Sequence, residues 1–170
     1  MKWSRYRDSN PGPIHYESDR ECVCKPGEVQ KYLNKISGPL MDRIDLHVEV
    51  LPVPYNELSD VRKGEPSAAI RKRVVAARKI QEARYAAYPG IHCNAQMTTK
   101  LLQQYCRLDQ RCQESLHSAM RRLGLSARAY DRILKVARTI ADLDASANIQ
   151  YEHLAEAINY RSLDRDNWGS

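Results

Sequence analysis

The segment Gly124-Leu125-Ser126-Ala127-Arg128-Ala129-Tyr130-Asp131-Arg132-Ile133-Leu134-Lys135-Val136-Ala137-Arg138-Thr139-Ile140-Ala141-Asp142-Leu143 constrains the fold more than any other part of the chain. Tyr130, Ile133, Leu134, Ala137, Ile140 and Ala141 recur at i, i+3, i+4, i+7, i+10 and i+11, which is one apolar stripe at the period of an α-helix. Gly124 suits the left-handed residue that ends a preceding helix, and Ser126 suits the cap of a new one. Arg128, Arg132, Lys135 and Arg138 are assigned to the opposite, solvated side. Such a stripe is stable only when other elements cover it.

The covering elements are also legible. Thr98 caps a short helix carrying Leu101, Leu102 and Tyr105. Asp109 caps another, with Cys112, Leu116, Ala119, Met120 and Leu123 inward. A last helix covers about Tyr151 to Tyr160, with Leu154, Ala157 and Ile158 inward. Short connections between four helices imply a compact bundle. Upstream, Ser67 caps a long helix running to about Tyr88, stopped by Pro89-Gly90, with Ile70, Val74, Ala77 and Ile80 as its inward stripe. This helix is strongly basic: Arg71, Lys72, Arg73, Arg78, Lys79 and Arg84 stand against one acid, Glu82. Two readings remain open for it, a solvated face or contact with nucleotide or nucleic-acid phosphate.

The amino-terminal third is different. Residues 1–20 have no helical or strand period and contain the turn signal Asn10-Pro11-Gly12-Pro13, so a poorly ordered or non-native tail is expected. Pro26 opens a helix in which Val29, Tyr32, Leu33 and Ile36 share a face. Ile44-Asp45-Leu46-His47-Val48-Glu49-Val50 alternates as one half-buried β-strand, ended by Pro52 and Pro54. A single strand is not stable alone and no second one is evident, so the pattern reads as the remnant of a truncated α/β core. The expected fold class is mainly α, a helical bundle preceded by one helix and one leftover strand. The expected divisions are a tail at 1–20, a core remnant at 21–55, a linker and basic helix at 56–93, a helical domain at 94–165 and a tail at 166–170.

Chemistry is conspicuous by its motifs' absence from the sequence. There is no G-x-x-x-x-G-K-[ST] phosphate loop, no strand ending in magnesium-binding acids, no G-x-S-x-G and no H-E-x-x-H. Cys22 and Cys24 form a C-x-C pair with His15 as a distant third ligand, short of the four that a closed zinc site needs, so no metal is expected. His47 reads as a packed or solvent-facing histidine. The five cysteines are irregularly spaced and no export signal is evident, so reduced thiols and a cytoplasmic location are expected, with no membrane partner. The net charge of +6 permits a polyanionic partner without demanding one.

Several stretches resemble magnesium-chelatase-like AAA+ ATPases of the ComM/YifB type. They are Ile36-Ser37-Gly38-Pro39-Leu40-Met41-Asp42-Arg43-Ile44-Asp45, Asn94-Ala95-Gln96-Met97, Gly124 to Ala129, Lys135 to Leu143, and Tyr160-Arg161-Ser162-Leu163-Asp164-Arg165, in the family's order. The resemblance covers roughly residues 20–165. It implies rings, usually hexamers, of AAA+ subunits with ATP and Mg2+ at their boundaries, and this chain would be the end of the core plus the helical lid. It implies that Arg43 is an arginine finger acting in trans and Arg128 the second sensor acting in cis. It further implies a parent enzyme that remodels DNA, as in branch migration. The family's first-sensor Asn precedes two cysteines that Asn10-Pro11-Gly12-Pro13 lacks, so Asn10 is not expected to act as a sensor. With no phosphate loop in the sequence, the chain alone is not expected to hydrolyse ATP or to need a cofactor.

Two alternatives compete with that reading. Asp109–Leu123, the Gly124 turn and the following basic helix loosely fit a stand-alone helix-turn-helix DNA-binding module, with Arg121, Arg122, Arg128 and Arg132 facing DNA. Arg71, Arg78 and Arg132 are further candidates for phosphate or nucleic-acid contact. A purely structural subunit docked on a partner ATPase is the third.

Overall fold

The structure, a computed structural model, describes residues 37–48, 50 and 64–161, together with Gly27, Lys31 and Lys35. In chain order the elements are α1 (Gly38–Met41), α2 (Ser67–Tyr85), a 3-10 turn (Asn94–Gln96), α3 (Thr99–Tyr105), α4 (Gln110–Arg122), α5 (Ala127–Leu143) and α6 (Tyr151–Asn159). The fold is mainly α.

Helix α5 is the centre. It packs on α6, α2, α3 and the 3-10 turn, while α4 lies against α6. The core draws Leu101 and Leu102 from α3, Cys112 and Leu116 from α4, Ile133, Leu134 and Ala137 from α5, and Leu154 and Ile158 from α6. Each belongs to the stripe read from its helix's period, because residues three and four apart share a face whatever the tertiary context. Burial pushes the Cys106 thiol up to about 11, which keeps that core sulfur protonated. Tyr130, expected at the start of the α5 stripe, is exposed instead.

Local chemistry sets the boundaries. Ser126 Oγ accepts from the Ala129 amide at 3.2 Å, and Asp109 Oδ1 accepts from the Cys112 amide at 2.7 Å. At the end of α4, Gly124 adopts φ +58° and the Leu125 amide reaches back to the Met120 carbonyl at 3.0 Å. This is a Schellman closure, and glycine meets its left-handed position without a Cβ penalty. The end of α5 is closed the same way, the Ser146 amide donating to the Ala141 carbonyl at 2.8 Å, but there the left-handed residue is Ala145 at φ 53°. Replacing Ala145 with Gly should therefore raise stability by about 0.5–1 kcal/mol, read as a higher urea midpoint with unchanged slope.

Asp109 carries a pH signature. The backbone hydrogen bond from Cys112 holds its carboxyl below the usual carboxylate range. A depressed folded-state pKa contributes stability that is present above the unfolded pKa and is lost as pH falls through the folded one. The melting-temperature gap between the native chain and Asp109→Ala should thus be widest near neutral pH and close below about pH 4. A gap that stays constant down to acid would remove the carboxylate from the cap.

Four further expectations change. The residues expected to form a strand carry none of its pairing: among the described residues, 44–48 and 50 are irregular. The alternation points the wrong way for a half-buried strand, since Ile44, Leu46, Val48 and Val50 are exposed while His47 is buried. A strand's amides and carbonyls need a neighbouring strand, and here the His47 amide is satisfied by the Tyr160 carbonyl at the end of α6 instead, at 2.8 Å. Second, α2 buries Ala77, Gln81 and Tyr85, while Val74 is exposed because the amino-terminal half of α2 extends past the bundle. Third, Pro66 rather than Ser67 precedes the first turn of α2, and the helix ends at Tyr85, where the Tyr88 amide turns back to the Tyr85 carbonyl. Fourth, Arg138 is buried in the core, not solvated. The helix expected from Pro26 to Ile36 lies largely outside the described residues, as do Cys22, Cys24, His15 and Asn10.

Candidate functional site

Two arginines carry the chemistry proposed from the sequence, and the fold places both on the surface. Arg128 sits in the first turn of α5, two residues past the Ser126 cap, and is exposed. The unsatisfied amides of that first turn favour anions, and a guanidinium beside them adds a permanent charge with a planar donor fork. Arg43 is exposed in the turn that follows α1, where its amide donates to the Leu40 carbonyl at 3.0 Å and the Ile44 amide to the Met41 carbonyl at 3.1 Å.

The structure links these two segments. Asp45 forms an ion pair with Arg132, which lies one helical turn beyond Arg128 on the same face of α5. Arg161, at the end of α6, donates to the carbonyls of Ile44 and Met41. His47 Nε2 lies 3.3 Å from the Met41 carbonyl oxygen. Arg132, a candidate for phosphate contact, is therefore already engaged by a carboxylate. Arg71 and Arg78 stand elsewhere, exposed on α2 beside Lys72 and Lys79. Their seven-residue spacing puts them on one face, in the same row as Tyr85 seven residues further on, so they flank the buried Ala77 and Gln81.

Sequence reasoning missed the densest polar cluster. Asp142, 2% exposed, accepts from Arg84 through both carboxylate oxygens, from Arg138 Nε at 3.1 Å and from Asn94 Nδ2 at 2.8 Å. Asn94 Oδ1 accepts from Arg84 at 2.9 Å and from the Tyr85 hydroxyl at 2.8 Å, and its amide nitrogen also donates to Thr139. Arg138 donates further to the carbonyls of Ala147 and Ser146, beyond the end of α5. The hydrogen bond to Asp142 raises the Arg84 guanidinium above its ordinary value, and burial pushes the Tyr85 hydroxyl up to about 12. This cluster welds α2, the 3-10 turn and α5 together. An acid at Asp142, four residues after Arg138, was the signal available in the sequence. Among the described residues no group of three or more His, Cys, Asp or Glu side chains is placed to hold a metal ion, and no helix is long and apolar enough to cross a membrane.

Comparison with known proteins decides the family. Residues 64–161 match the family model described as magnesium chelatase, subunit ChlI C-terminal, and residues 7–58 match magnesium chelatase, subunit ChlI. The chain belongs to the magnesium-chelatase family. Within it, the chain is of the ComM/YifB type. It is 42% identical over 158 residues to YifB of Escherichia coli and 41% identical over 158 residues to YifB of Salmonella typhimurium. It is 40% identical over 157 residues to competence protein ComM of Haemophilus influenzae. Each match covers 92% of this magnesium-chelatase-family chain but only 30% of the relative, so the chain spans less than a third of the length of these proteins.

Proposed function

We propose that this chain supplies the lid and two phosphate-sensing arginines to a ring ATPase of the magnesium-chelatase type. Arg43 reaches the γ-phosphate of ATP bound by the neighbouring subunit, and Arg128 contacts the γ-phosphate bound by its own. One observation carries the reading: both arginines are exposed, and the segments that bear them are tied to each other through Asp45 and Arg132. Phosphoryl transfer spreads negative charge over the γ-oxygens, and a permanently charged planar fork stabilises it. ATP and Mg2+ supply the reacting phosphoryl group and its charge neutralisation. The residues present fit two of the phosphate contacts, whereas the phosphate loop and magnesium-binding acids have no counterpart in the sequence.

The parent enzyme is proposed to remodel DNA. Support comes from the competence protein name of the Haemophilus relative and from the basic face of α2, where Arg71 and Arg78 stand exposed. A stand-alone helix-turn-helix is disfavoured by packing: from Asp131 to Leu143 every residue of α5 is buried or half-buried, so only its first turn, with Arg128 and Tyr130, is exposed enough to meet a major groove.

The test is reconstitution. The purified chain is mixed with a separately produced family core carrying the phosphate loop, and ATP turnover is measured with and without duplex DNA. Turnover is expected only in the mixture. Lack of stimulation by the chain, together with tight sequence-specific duplex binding by the chain alone across a salt series, would replace this reading with the DNA-binding one.

A further inference from the structure

Arg161 heads the fully buried side chains of the described residues by volume, at 1% exposure. A guanidinium this deep is costly unless its donors are taken up, because desolvating an ion costs several kcal/mol. Two of the acceptors that Arg161 uses are backbone carbonyls far away in the chain, those of Ile44 and Met41, separated from it by 117 and 120 residues. These two carbonyls bracket Arg43. The next backbone tie is of the same kind, the His47 amide donating to the Tyr160 carbonyl at 2.8 Å.

Met41 is buried where the turn begins, but Ile44 and Leu46 are 40% and 47% exposed, and the residues pair with no strand among those described. Directional polar bonds therefore add to that packing in fixing where the Arg43 turn sits. A further tie is the Asp45–Arg132 pair, which joins the same turn to α5 one helical turn past Arg128.

We propose that Arg161 is a positioning residue for Arg43, and that Asp45–Arg132 couples the Arg43 turn to the helix that bears Arg128. The inference rests on the roles proposed above for those two arginines. Its consequence is communication between neighbouring sites: a shift of α5 when Arg128 engages a γ-phosphate in one subunit moves the turn that offers Arg43 to the next. Coupling of this kind needs an element that both sites bias, and the doubly tied turn is such an element.

Hydrogen exchange on the full 170-residue chain tests the clamp without reference to ATP. Arg161→Gln should speed exchange of the Arg43, Ile44 and His47 amides by about tenfold or more, while α5 amides change by less than about twofold, and Arg161→Lys should recover part of the protection. If loss of the buried charge unfolds the chain, the exposed pair serves instead. Asp45→Lys or Arg132→Glu alone should loosen the turn, and the two together should restore it. Unchanged exchange around Arg43, or α5 opening in step with it, overturns the proposal.

The reconstituted ATPase adds a readout that a structural role would not move. Arg161→Gln should lower kcat with KM for ATP unchanged, and combined with Arg43→Ala it should cost nothing beyond Arg43→Ala alone. Additive losses would overturn positioning through Arg43. Absence of stimulation by the native chain would instead sink the proposed function, with the exchange measurements still judging the clamp.

Discussion

Replacing Asp142 with Ala is expected to destabilise the chain by about 3–5 kcal/mol, a third or more of a small domain's typical stability. The carboxylate is fully buried and receives donors from Arg84, Arg138 and Asn94. Its removal leaves two guanidinium groups in the interior without their counter-charge, and an unpaired buried ion costs more than the pair was worth. Asp142→Asn should be nearly as harmful, because its amide would aim N–H groups at donors that need an acceptor. A full apolar replacement will not rescue the site: Arg138 also serves the Ser146 and Ala147 carbonyls, which would be stranded. Urea unfolding measures the loss, and a cycle between Arg84→Met and Asp142→Leu should return a coupling of roughly 1–3 kcal/mol. A change near zero for Asp142→Ala would mean that the cluster is solvated in solution.

The second large effect is kinetic. In a full-length relative, Ala at the position matching Arg43 should lower ATP turnover by about 10³–10⁵, the range an arginine finger supplies in phosphoryl transfer. Ala at the position matching Arg128 should also abolish turnover. Neither change should alter helix content or melting, since both side chains are exposed. Lys at the Arg43 position should restore little, because an ammonium keeps the charge but loses the fork. Mixed rings separate the two roles. On the proposed roles, a subunit lacking the finger should silence its neighbour's site, whereas one lacking the sensor should silence its own. Normal turnover in either Ala variant would remove that assignment.

These two expectations differ in how far they were legible beforehand. The exposed positions of Arg43 and Arg128 follow from segments whose motifs are contiguous in sequence. The Asp142 cluster does not, because Arg84 and Asp142 are 58 residues apart and neither looks unusual alone. Arg138 shows the limit clearly. Its helical position and its charge both assign it to the solvated side, yet it is buried because α5 is covered from several directions at once. The misread strand has the same origin. Alternating residues describe what a segment prefers when a neighbouring strand is present, and from Ile44 to Val48 the ties are to Arg161, Tyr160 and Arg132 instead.

The sequence by itself determined the helices from α3 to α6, their caps at Asp109 and Ser126 and their inward residues apart from the exposed Tyr130, since period and capping act over a few neighbouring positions. Only the tertiary structure decided which charges are interior and which segments are joined. The bonds from Arg84 to Asp142, from Arg132 to Asp45 and from Arg161 to Ile44 span 58, 87 and 117 residues. Whether a guanidinium meets a carboxylate, a carbonyl or water across such separations is set by how whole helices pack, and no local pattern of residues encodes it.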